Sequence, residues 1–583
     1  MSGIFALLDP AGVDKESVMG ALSTVDFRGT PTLHSAGTVA VGNFLDAGSA
    51  PIQTRQHSDH LVASDATING PVPGTTAALG ARGLTGSDFL EDVFTRLGPA
   101  ELIGVAGDYV IASAEPHQSR VIVARDAFGA RPLFHARKEG VHAFASDVEV
   151  LVALRLVTGE LDEEVISAFL AIESLGDEHA ARTAFAGVRT VLAGHWIEVA
   201  AGREPIERRW FVPSDLSPPA LDRRSGVRAV HDVIVEATAS RAAGRDIGLQ
   251  LSGGRDSDAI AVALRDAGLH ALCLTYDFDP AVQPSETEQA RSLAIRLGHD
   301  WVPVPCGAPG LDELKCIPWG AGTPLVASSW SLYLRTTQLA EARGVDALLT
   351  GDGGEPLFQA SPRSVVDLVG QGRVREAVRA SRNFHHHWTY PYRIQAKGAA
   401  RLLTPSRFLE TRERAKPIPP WVVDRFSSKR EPPREFWSER RRLLRAVTMP
   451  EAYSHDYGER LGRRYAMGRA SPMLDLRVLR ITLGLPLELR APVTVPKPAL
   501  HEAFLRSETT DRVKMSLERH FRNVALTLQR EQANLFSPDS MAVRTGLVRA
   551  DGLHAVGEPR WLHQSANLAV VESWLRTGLH LPA

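Results

Sequence analysis

Residues 249–264 read LQLSGGRDSDAIAVAL, and this stretch decides the fold of the second half of the chain. An apolar run ending at Leu251 is followed by a short Gly-rich loop and then by apolar residues at helical spacing, which predicts strand, loop and helix. Glycines let the backbone approach a phosphate chain, while hydroxyls and the free N–H groups of a helix start bind anions. The stretch therefore predicts a polyphosphate site at Ser252, Gly253, Gly254 and Ser257.

Two acidic residues add a metal to this prediction. Asp256 lies inside the loop, where a carboxylate would repel a phosphate unless Mg²⁺ lay between them. Asp352 lies in a second Gly-rich segment, LLTGDGGEPLF (348–358), which follows another strand-like run. Because parallel strands place their carboxyl ends at one edge of a sheet, we expect both aspartates to bind one Mg²⁺. Taken alone, the Asp352 segment would be an ordinary acidic turn, and it indicates a metal site only together with the first loop. The first loop is not a Walker motif, which requires Gly-Lys-Ser/Thr.

The hydrophobic pattern divides the chain into two domains. Residues 1–210 contain short alternating apolar segments, typical of a β-rich domain, and 211–226 form a Pro- and Arg-rich linker. Residues 227–583 alternate strand-like and helix-like runs, which predicts a parallel sheet covered by helices. Within this domain, 360–450 is basic and helical, either a solvated face, which we favour, or a surface for an extended or anionic ligand. An amphipathic helix at 567–579 is expected to dock on the second domain.

Composition limits the possible functions. The 583 residues are 44% hydrophobic and 23% charged, with a net charge of −2, so no whole-chain field favours nucleic acid or an anionic membrane. Three cysteines (Cys273, Cys306 and Cys316) fit neither a disulfide framework nor a zinc pattern. Neither a signal peptide nor a membrane-spanning run is visible, so we expect a cytoplasmic protein.

Several segments resemble the asparagine synthetase family of ATP-dependent amide-forming enzymes, over nearly the whole chain. The loop 252–257 resembles the pyrophosphate loop of enzymes that cleave ATP to AMP and pyrophosphate. Other matching segments are ARDAFGARPLFH (124–135), SPMLDLRVL (471–479), VPKPALHEAF (495–504) and DRVKMS (511–516). The resemblance implies an N-terminal glutaminase-like, Ntn-type β-sandwich and a C-terminal adenine nucleotide α-hydrolase-like domain with a parallel sheet.

The resemblance also implies roles for individual residues. ATP and Mg²⁺ would be the cofactors, with Asp256 and Asp352 as Mg²⁺ ligands. The family's catalytic lysine corresponds to Lys514, and Asp352 would share the catalytic role. The residues implied to bind ATP or pyrophosphate are Gln250, Leu251, Ser252, Gly253, Gly254, Asp256, Ser257, Tyr276, Thr350 and Gly351. Among these, Gln250 and Tyr276 would contact adenine.

Departures from the family concern the source of the amine. Family members begin Met-Cys, and the cysteine attacks glutamine, whereas this chain has Ser2. The family's oxyanion segment NGEIYN is replaced by DATING (65–70), which puts Asp65 where a developing oxyanion would need stabilisation. We therefore expect the first domain to be an inactive glutaminase that serves as scaffold. The synthetase half would then join a carboxylate to an amine of the same substrate, because tethering gives a high effective molarity.

Two branches of the family work in this way: β-lactam synthetases and lasso peptide cyclases. The extra length, the segment FHHHWTYPYR (384–393) and the ESWLR segment (572–576) favour a lasso peptide cyclase. Leu349 and Gly468 replace a tyrosine and a glutamate that the β-lactam branch would need. The expected partners are a linear core peptide, with a leader peptidase and a leader-binding protein, and neither nucleic acid nor membrane.

Other interpretations remain open at this point. Ser2 could act as a nucleophile in a glutamine-using amidotransferase, with the α-amine as its base. The fold could also persist as a non-enzymatic scaffold. The base that deprotonates the attacking amine could be Glu355 or one of His385, His386 and His387.

Overall fold

We describe the fold from a computed structural model. It describes residues 3–25, 30–45, 55–57, 59–79, 83–171, 181–213, 215–278, 287–306, 313, 330–359, 364, 368, 372–378, 418–423, 458, 461–462, 465, 467–490, 497–505 and 536–578. Most of the basic segment 360–450 lies outside this range, as do Ser2, His385, His386, His387 and Lys514. Within the described part, no helix has the length and apolar character needed to cross a membrane.

The first domain is a sandwich of two antiparallel sheets. Its strands are β1 (Gly3–Leu8), β2 (Thr30–Ala36), β3 (Val39–Leu45), β4 (Arg55–His57), β5 (His60–Pro71), β6 (Val105–Glu115), β7 (Arg120–Arg125), β8 (Phe134–Lys138), β9 (Val141–Ala145), β10 (Val188–Thr190), β11 (His195–Ala200) and β12 (Ile206–Arg209). The sheet orders are β10-β8-β9-β1-β3-β2 and β12-β11-β7-β6-β5-β4. Inward side chains such as Ile4, Ala6, Val110 and Val123 fill the space between the sheets. This confirms the predicted β-sandwich.

Helices cover the outer faces of this sandwich. They are α1 (Lys15–Leu22), α2 (Thr76–Leu79), α3 (Gly86–Asp92), α4 (Val148–Ala153) and α5 (Glu163–Ala171). α3 packs on β5, whereas α4 packs on β8 and β9. Among the residues that the structure describes, short 3₁₀- or π-helical segments lie at Val93–Leu97, Pro99–Gly104, Pro116–Gln118, His501–Leu505, Ala550–Ala555 and Pro559–Trp561.

The second domain is built on a five-stranded parallel sheet. Its strands are β13 (Ile247–Gln250), β14 (Leu272–Phe278), β15 (Asp300–Cys306), β16 (Ala347–Leu349) and β17 (Gly468–Ala470). Their order is β15-β14-β13-β16-β17, and each neighbouring pair is parallel. The order reverses between β13 and β16. In open α/β sheets, ligands bind outside the carboxyl ends of the strands at such a point.

Helices lie on both faces of this sheet, as predicted. They are α6 (Arg223–Ala242), α7 (Arg255–Asp266), α8 (Thr287–Arg296), α9 (Trp330–Glu341), α10 (Gly354–Phe358), α11 (Leu476–Gly484), α12 (Leu487–Arg490), α13 (Pro498–Leu500), α14 (Met541–Arg544) and α15 (Leu562–Gly578). Alternation along the strands separates two cores. Ala347 and Leu349 face the core that contains α6 and α7, whereas Leu348 faces the core that contains α9.

The segment between the domains is packed rather than free. Phe211 is fully buried and Leu216 nearly so, and both belong to a core that the two domains share. α6 begins at Arg223, within the range predicted as linker, and the Asp222 side chain accepts a hydrogen bond from the Ser225 N–H as its N-cap. The domains are therefore held together by apolar contacts from the connecting chain onward.

Helix α15 (Leu562–Gly578) packs on both domains. Its Leu568, Val571 and Trp574 join the core on the outer face of the first domain, where Trp574 meets Phe185 edge to face at 5.7 Å. Its Ala569 and Val570 pack instead against α9 of the second domain. The expectation that this helix docks on the second domain is therefore incomplete, because the helix also packs on α5 of the first domain.

Candidate active site

The loop that follows β13 makes a tight turn into the N-terminus of α7. Gly253 has φ +69°, which favours glycine, and Gly254 is the helix N-cap. The Ser257 hydroxyl donates to the Gly254 carbonyl at 3.0 Å and accepts from the Ser252 N–H at 3.2 Å. These bonds fix the loop at the positive end of a twelve-residue helix, an arrangement that suits a phosphate.

A second loop follows β16 and turns at Gly353, with φ +81°. Its Asp352 carboxylate accepts the Thr350 hydroxyl at 2.8 Å and the Arg469 guanidinium at 3.0 Å, both through Oδ2. The Asp352 carbonyl accepts the Ser471 hydroxyl at 2.6 Å. The side chains predicted on this loop are thus held by the adjacent strand β17 and the residues that follow it.

The structure brings the two loops together. A Cβ added at Gly351 would lie 3.0 Å from the Asp256 Cβ and 3.0 Å from the Ser257 nitrogen. A Cβ at Gly354 would collide with the Asp256 carboxylate itself. Glycines at these positions are therefore required by the close approach of the loops, and they place Asp256 beside the loop that carries Asp352.

Lys497 is a site residue that the sequence reasoning missed. It precedes α13, has φ +53°, and its ammonium donates to Asp256 Oδ2. Burial raises the pKa of Asp256, the ion pair with Lys497 lowers it, and the charges of Glu355 and Asp352 raise it, with a net upward direction. The segment 495–504 contained the signal, since a lysine in a family-matching segment is a candidate cation for a phosphate site.

Arg469 is the second residue that was missed. Its guanidinium lies 4.3 Å above the Tyr333 ring and bonds to Asp352. Burial lowers the pKa of Arg469, but the Asp352 charge more than offsets this, so the group stays charged. No sequence signal pointed to it, because β17 had not been predicted to lie next to β16.

The carboxylates present fit a bound Mg²⁺. Asp256 Oδ1 is buried and has no hydrogen-bond partner among the described residues, and the Gly354 backbone leaves just enough room for it. An orphaned carboxylate oxygen beside a phosphate-binding loop is the donor type that Mg²⁺ prefers. Asp256 and Asp352 would be its protein ligands.

The carboxyl end of β13, just before the loop, also suits the base of a nucleotide. The Gln250 Nε2 donates to the Tyr276 hydroxyl at 2.6 Å, and Tyr276 is buried. Within the described part of the chain, the Gln250 side-chain oxygen Oε1 has no hydrogen-bond partner. Leu251, which follows, is anchored by its N–H to the Leu274 carbonyl at 2.9 Å. This leaves an amide group available at the strand end for adenine.

Of the remaining predicted positions, the structure describes Glu355, Leu349 and Gly468. Glu355 is exposed in the first turn of α10, close enough for its charge to raise the pKa of Asp256. Leu349 is fully buried in β16, and Gly468 begins β17 beside Ala347. The other candidates, Lys514 and the three histidines at 385–387, lie outside the described residues.

In the first domain, Asp65 is buried in the middle of β5. Its Oδ1 lies 4.0 Å from the Arg131 Nε, so the carboxylate has a cation beside it. Arg125 and Asp126 belong to the segment ARDAFGARPLFH (124–135), and they hold the loop 126–131. Arg125 donates to the Arg131 carbonyl at 2.6 Å, and Asp126 accepts three backbone N–H groups. Their role is to shape this loop.

Gly354→Ala should lower nucleotide-dependent activity because its methyl group would displace the Asp256 carboxylate. Misplacement of about 1 Å at a reacting centre can cost orders of magnitude, so we expect a loss of roughly tenfold or more in ATP–pyrophosphate exchange. Gly20→Ala is the control, since a Cβ there meets nothing within 4 Å. Equal exchange by the two variants would contradict the packing described here.

Comparison with known proteins agrees with this geometry. The sequence model of the asparagine synthase family matches residues 229–576, which is more than half of the chain. A glutamine amidotransferase domain model matches residues 75–211, a range that begins after Asp65. Two solved structures, the "allosteric regulatory enzyme of purine biosynthesis" and a PRPP amidotransferase from B. subtilis, align with TM-scores of 0.26 and 0.25 at 12% and 13% identity, too low to support conclusions.

Curated relatives are similar over part of the chain. A Penicillium rubens protein named amidase chyE is 25% identical over 284 residues, which is 46% of this chain and 41% of that protein. Proteins of Mycobacterium tuberculosis and Mycobacterium bovis named putative asparagine synthetase (glutamine-hydrolyzing) are 26% identical over 267 residues, 43% of this chain and 39% of theirs. The chain thus spans about two fifths of the length of these relatives. With the family model, the parallel sheet and the paired loops all in agreement, the chain belongs to the asparagine synthase family.

Proposed function

We propose that this protein is an ATP-dependent lasso peptide cyclase. It adenylates an Asp or Glu side chain of a linear core peptide, and then closes a macrolactam ring with the peptide's N-terminal amine. Family membership supports ATP-dependent amide formation. One observation supports an amine that comes from the substrate itself and not from glutamine. Asp65 is a buried carboxylate in the strand where a glutaminase needs oxyanion stabilisation.

The two loops support ATP binding. The phosphates lie on Ser252, Gly253, Gly254 and the N-terminus of α7, whose N–H groups and dipole favour negative charge. Thr350 and Gly351 enclose the nucleotide from the β16 side, while Gln250 and Tyr276 contact adenine. Mg²⁺, held by Asp256 and Asp352, would neutralise phosphate charge when bound. Lys497 lies at the same carboxylate and adds a cation to the pyrophosphate side.

Activation forms a mixed anhydride. An oxygen of the peptide carboxylate attacks the α-phosphorus, the bond from that phosphorus to the bridging oxygen breaks, and pyrophosphate leaves. The obstacle is electrostatic, because an anion approaches a polyanion, and positive groups lower it. Arg469 and Lys497 are the described cations that contact the two aspartates.

Ring closure consumes this anhydride. The peptide's amine nitrogen attacks the acyl carbon, loses a proton, and AMP leaves with its electron pair. Lys514 stabilises the oxyanion and the charge that grows on AMP. Because both ends belong to one peptide, proximity replaces a supply of free ammonia. Exclusion of water protects the acyl-AMP from hydrolysis.

A radiolabelled pyrophosphate exchange assay tests the proposal. We expect linear peptides with a free N-terminal amine and an internal Asp or Glu to support exchange and to lose one water in mass. N-acetylated peptides should still support exchange but should not cyclise, whereas peptides with Asn or Gln at the acceptor should do neither. Failure of every carboxylate peptide to support exchange would favour a non-enzymatic scaffold.

A glutamine-dependent amidotransferase is the second candidate. It is favoured by the glutamine amidotransferase match at 75–211 and by the printed names of the mycobacterial relatives. A glutaminase assay separates the two functions. Glutamate release that is lost in Ser2→Ala would establish the glutamine-dependent function. Absence of glutamate release by the wild-type protein would support an amine supplied by the peptide itself.

A further inference from the structure

A small, partly open pocket lies where the two domains meet. Asp108 and Ala130 of the first domain form one wall, and Thr350, Asp352, Arg469 and Ser471 line the other. We call this space the junction pocket. It adjoins the candidate active site directly, because Thr350 and Asp352 belong to both.

Arg469 is the cation of this pocket. Its side chain is only 11% exposed, and it is fixed between the Tyr333 ring and the Asp352 carboxylate. A guanidinium carries five N–H donors, and with the described residues it makes one hydrogen bond, through Nη2 to Asp352. A mostly desolvated guanidinium with donors to spare is suited to a bidentate carboxylate.

We infer that Arg469 binds the reacting carboxylate of the substrate in the junction pocket and thereby determines substrate specificity. The inference rests on the proposed function for the identity of that carboxylate. A carboxylate held by Arg469 lies beside Asp352 and Thr350, next to the loop that binds ATP. The positive charge offsets the repulsion between the incoming anion and the phosphates.

The first domain supplies the rigid side of the pocket. The Ala130 N–H donates to Asp126 at 3.1 Å, in the loop that Arg125 also holds. Asp108 is bound by the buried Arg241 at 3.1 Å, and Arg241 also bonds to Asp475 of the second domain at 2.8 Å. These bonds fix the loop that carries Ala130 and the position of Asp108 on this side of the pocket. The domain that resembles a glutaminase contributes to the shape of the substrate site.

Direct binding tests this with the full-length protein and two small probes. The probes are N-acetyl-aspartate amide and N-acetyl-glutamate amide, each with one side-chain carboxylate, titrated by calorimetry in the presence of Mg²⁺ and a non-hydrolysable ATP analogue. We expect Arg469→Gln to weaken probe binding by about tenfold or more, measured at saturating analogue so that any change in nucleotide affinity is not counted. Arg469→Lys should be intermediate, because it keeps the charge but not the planar fork.

A second variant acts from the opposite wall. Ala130→Leu adds volume at the wall formed by the first domain, and it should also weaken binding of the probe. Arg189→Gln, at an exposed ion pair with Glu207, is the control and should bind like the wild type. Failure of the wild type to bind either probe at about 10 mM, or equal binding by Arg469→Gln, would overturn the inference. If the probes bind in an Arg469-dependent way but no peptide is cyclised, the proposed function is wrong and the carboxylate site at Arg469 is retained.

Discussion

Asp256→Asn should abolish ATP–pyrophosphate exchange almost completely, with a loss of roughly a thousandfold, or about 4 kcal/mol of barrier. The substitution keeps the side chain's shape but removes the negative charge and replaces one carboxylate oxygen with an NH₂ group, so one oxygen is left where Lys497 and Mg²⁺ each need one. An amide is a poor ligand for Mg²⁺ in place of a carboxylate. The measurement is exchange rate at saturating peptide, together with affinity for an ATP analogue with and without Mg²⁺.

The matched control is Asp266→Asn at the other end of the same helix. Asp266 bonds to His231 at 3.0 Å and lies far from the loop, so its variant should exchange like the wild type. Thermal unfolding of both variants checks that the fold is retained. If Asp256→Asn bound Mg²⁺ and nucleotide normally and exchanged at full rate, the assignment of the site would fail.

Lys514→Ala should lose roughly a hundredfold or more in overall ring closure, since removal of one positioned charge from a transition state typically costs several kcal/mol. The role assigned to Lys514 comes from the resemblance, because this residue lies outside the described part of the structure. The decisive comparison is between nucleotide affinity, which should change little, and the rate of product formation, which should fall.

Lys138→Ala serves as the control for that experiment. Lys138 is exposed on β8, and its ammonium donates to the Arg155 carbonyl at 3.2 Å, remote from the candidate site. A normal rate in Lys514→Ala would transfer the catalytic role to another cation, with Lys497 the first to test.

The fold and the meeting of the two Gly-rich loops could be predicted because they depend on local patterns. Alternating strands, the Gly-rich loop before α7 and the Asp352 segment each show their structure within a few residues. The apposition of the loops at 252–257 and 350–354 followed from one rule, that parallel strands end at one edge.

Other features depend on contacts between distant segments. Lys497 reaches Asp256 across 241 positions, and Arg469 reaches Asp352 across 117. Neither contact has a sequence signature, because each depends on the order of strands in the sheet and on the path of the chain between them. For the same reason, the pattern of α15 indicated an apolar surface but not that two domains share it.

The burial of α15 between the domains has a consequence for biogenesis. The outer apolar face of the first domain, around Phe185, is covered by residues 562–578, which are translated long after that domain. Nascent chains emerge at roughly 5–20 residues per second, so this face stays bare for tens of seconds on the ribosome. During that interval it is a natural substrate for a chaperone, and ribosome-bound intermediates stalled before residue 562 should recruit one.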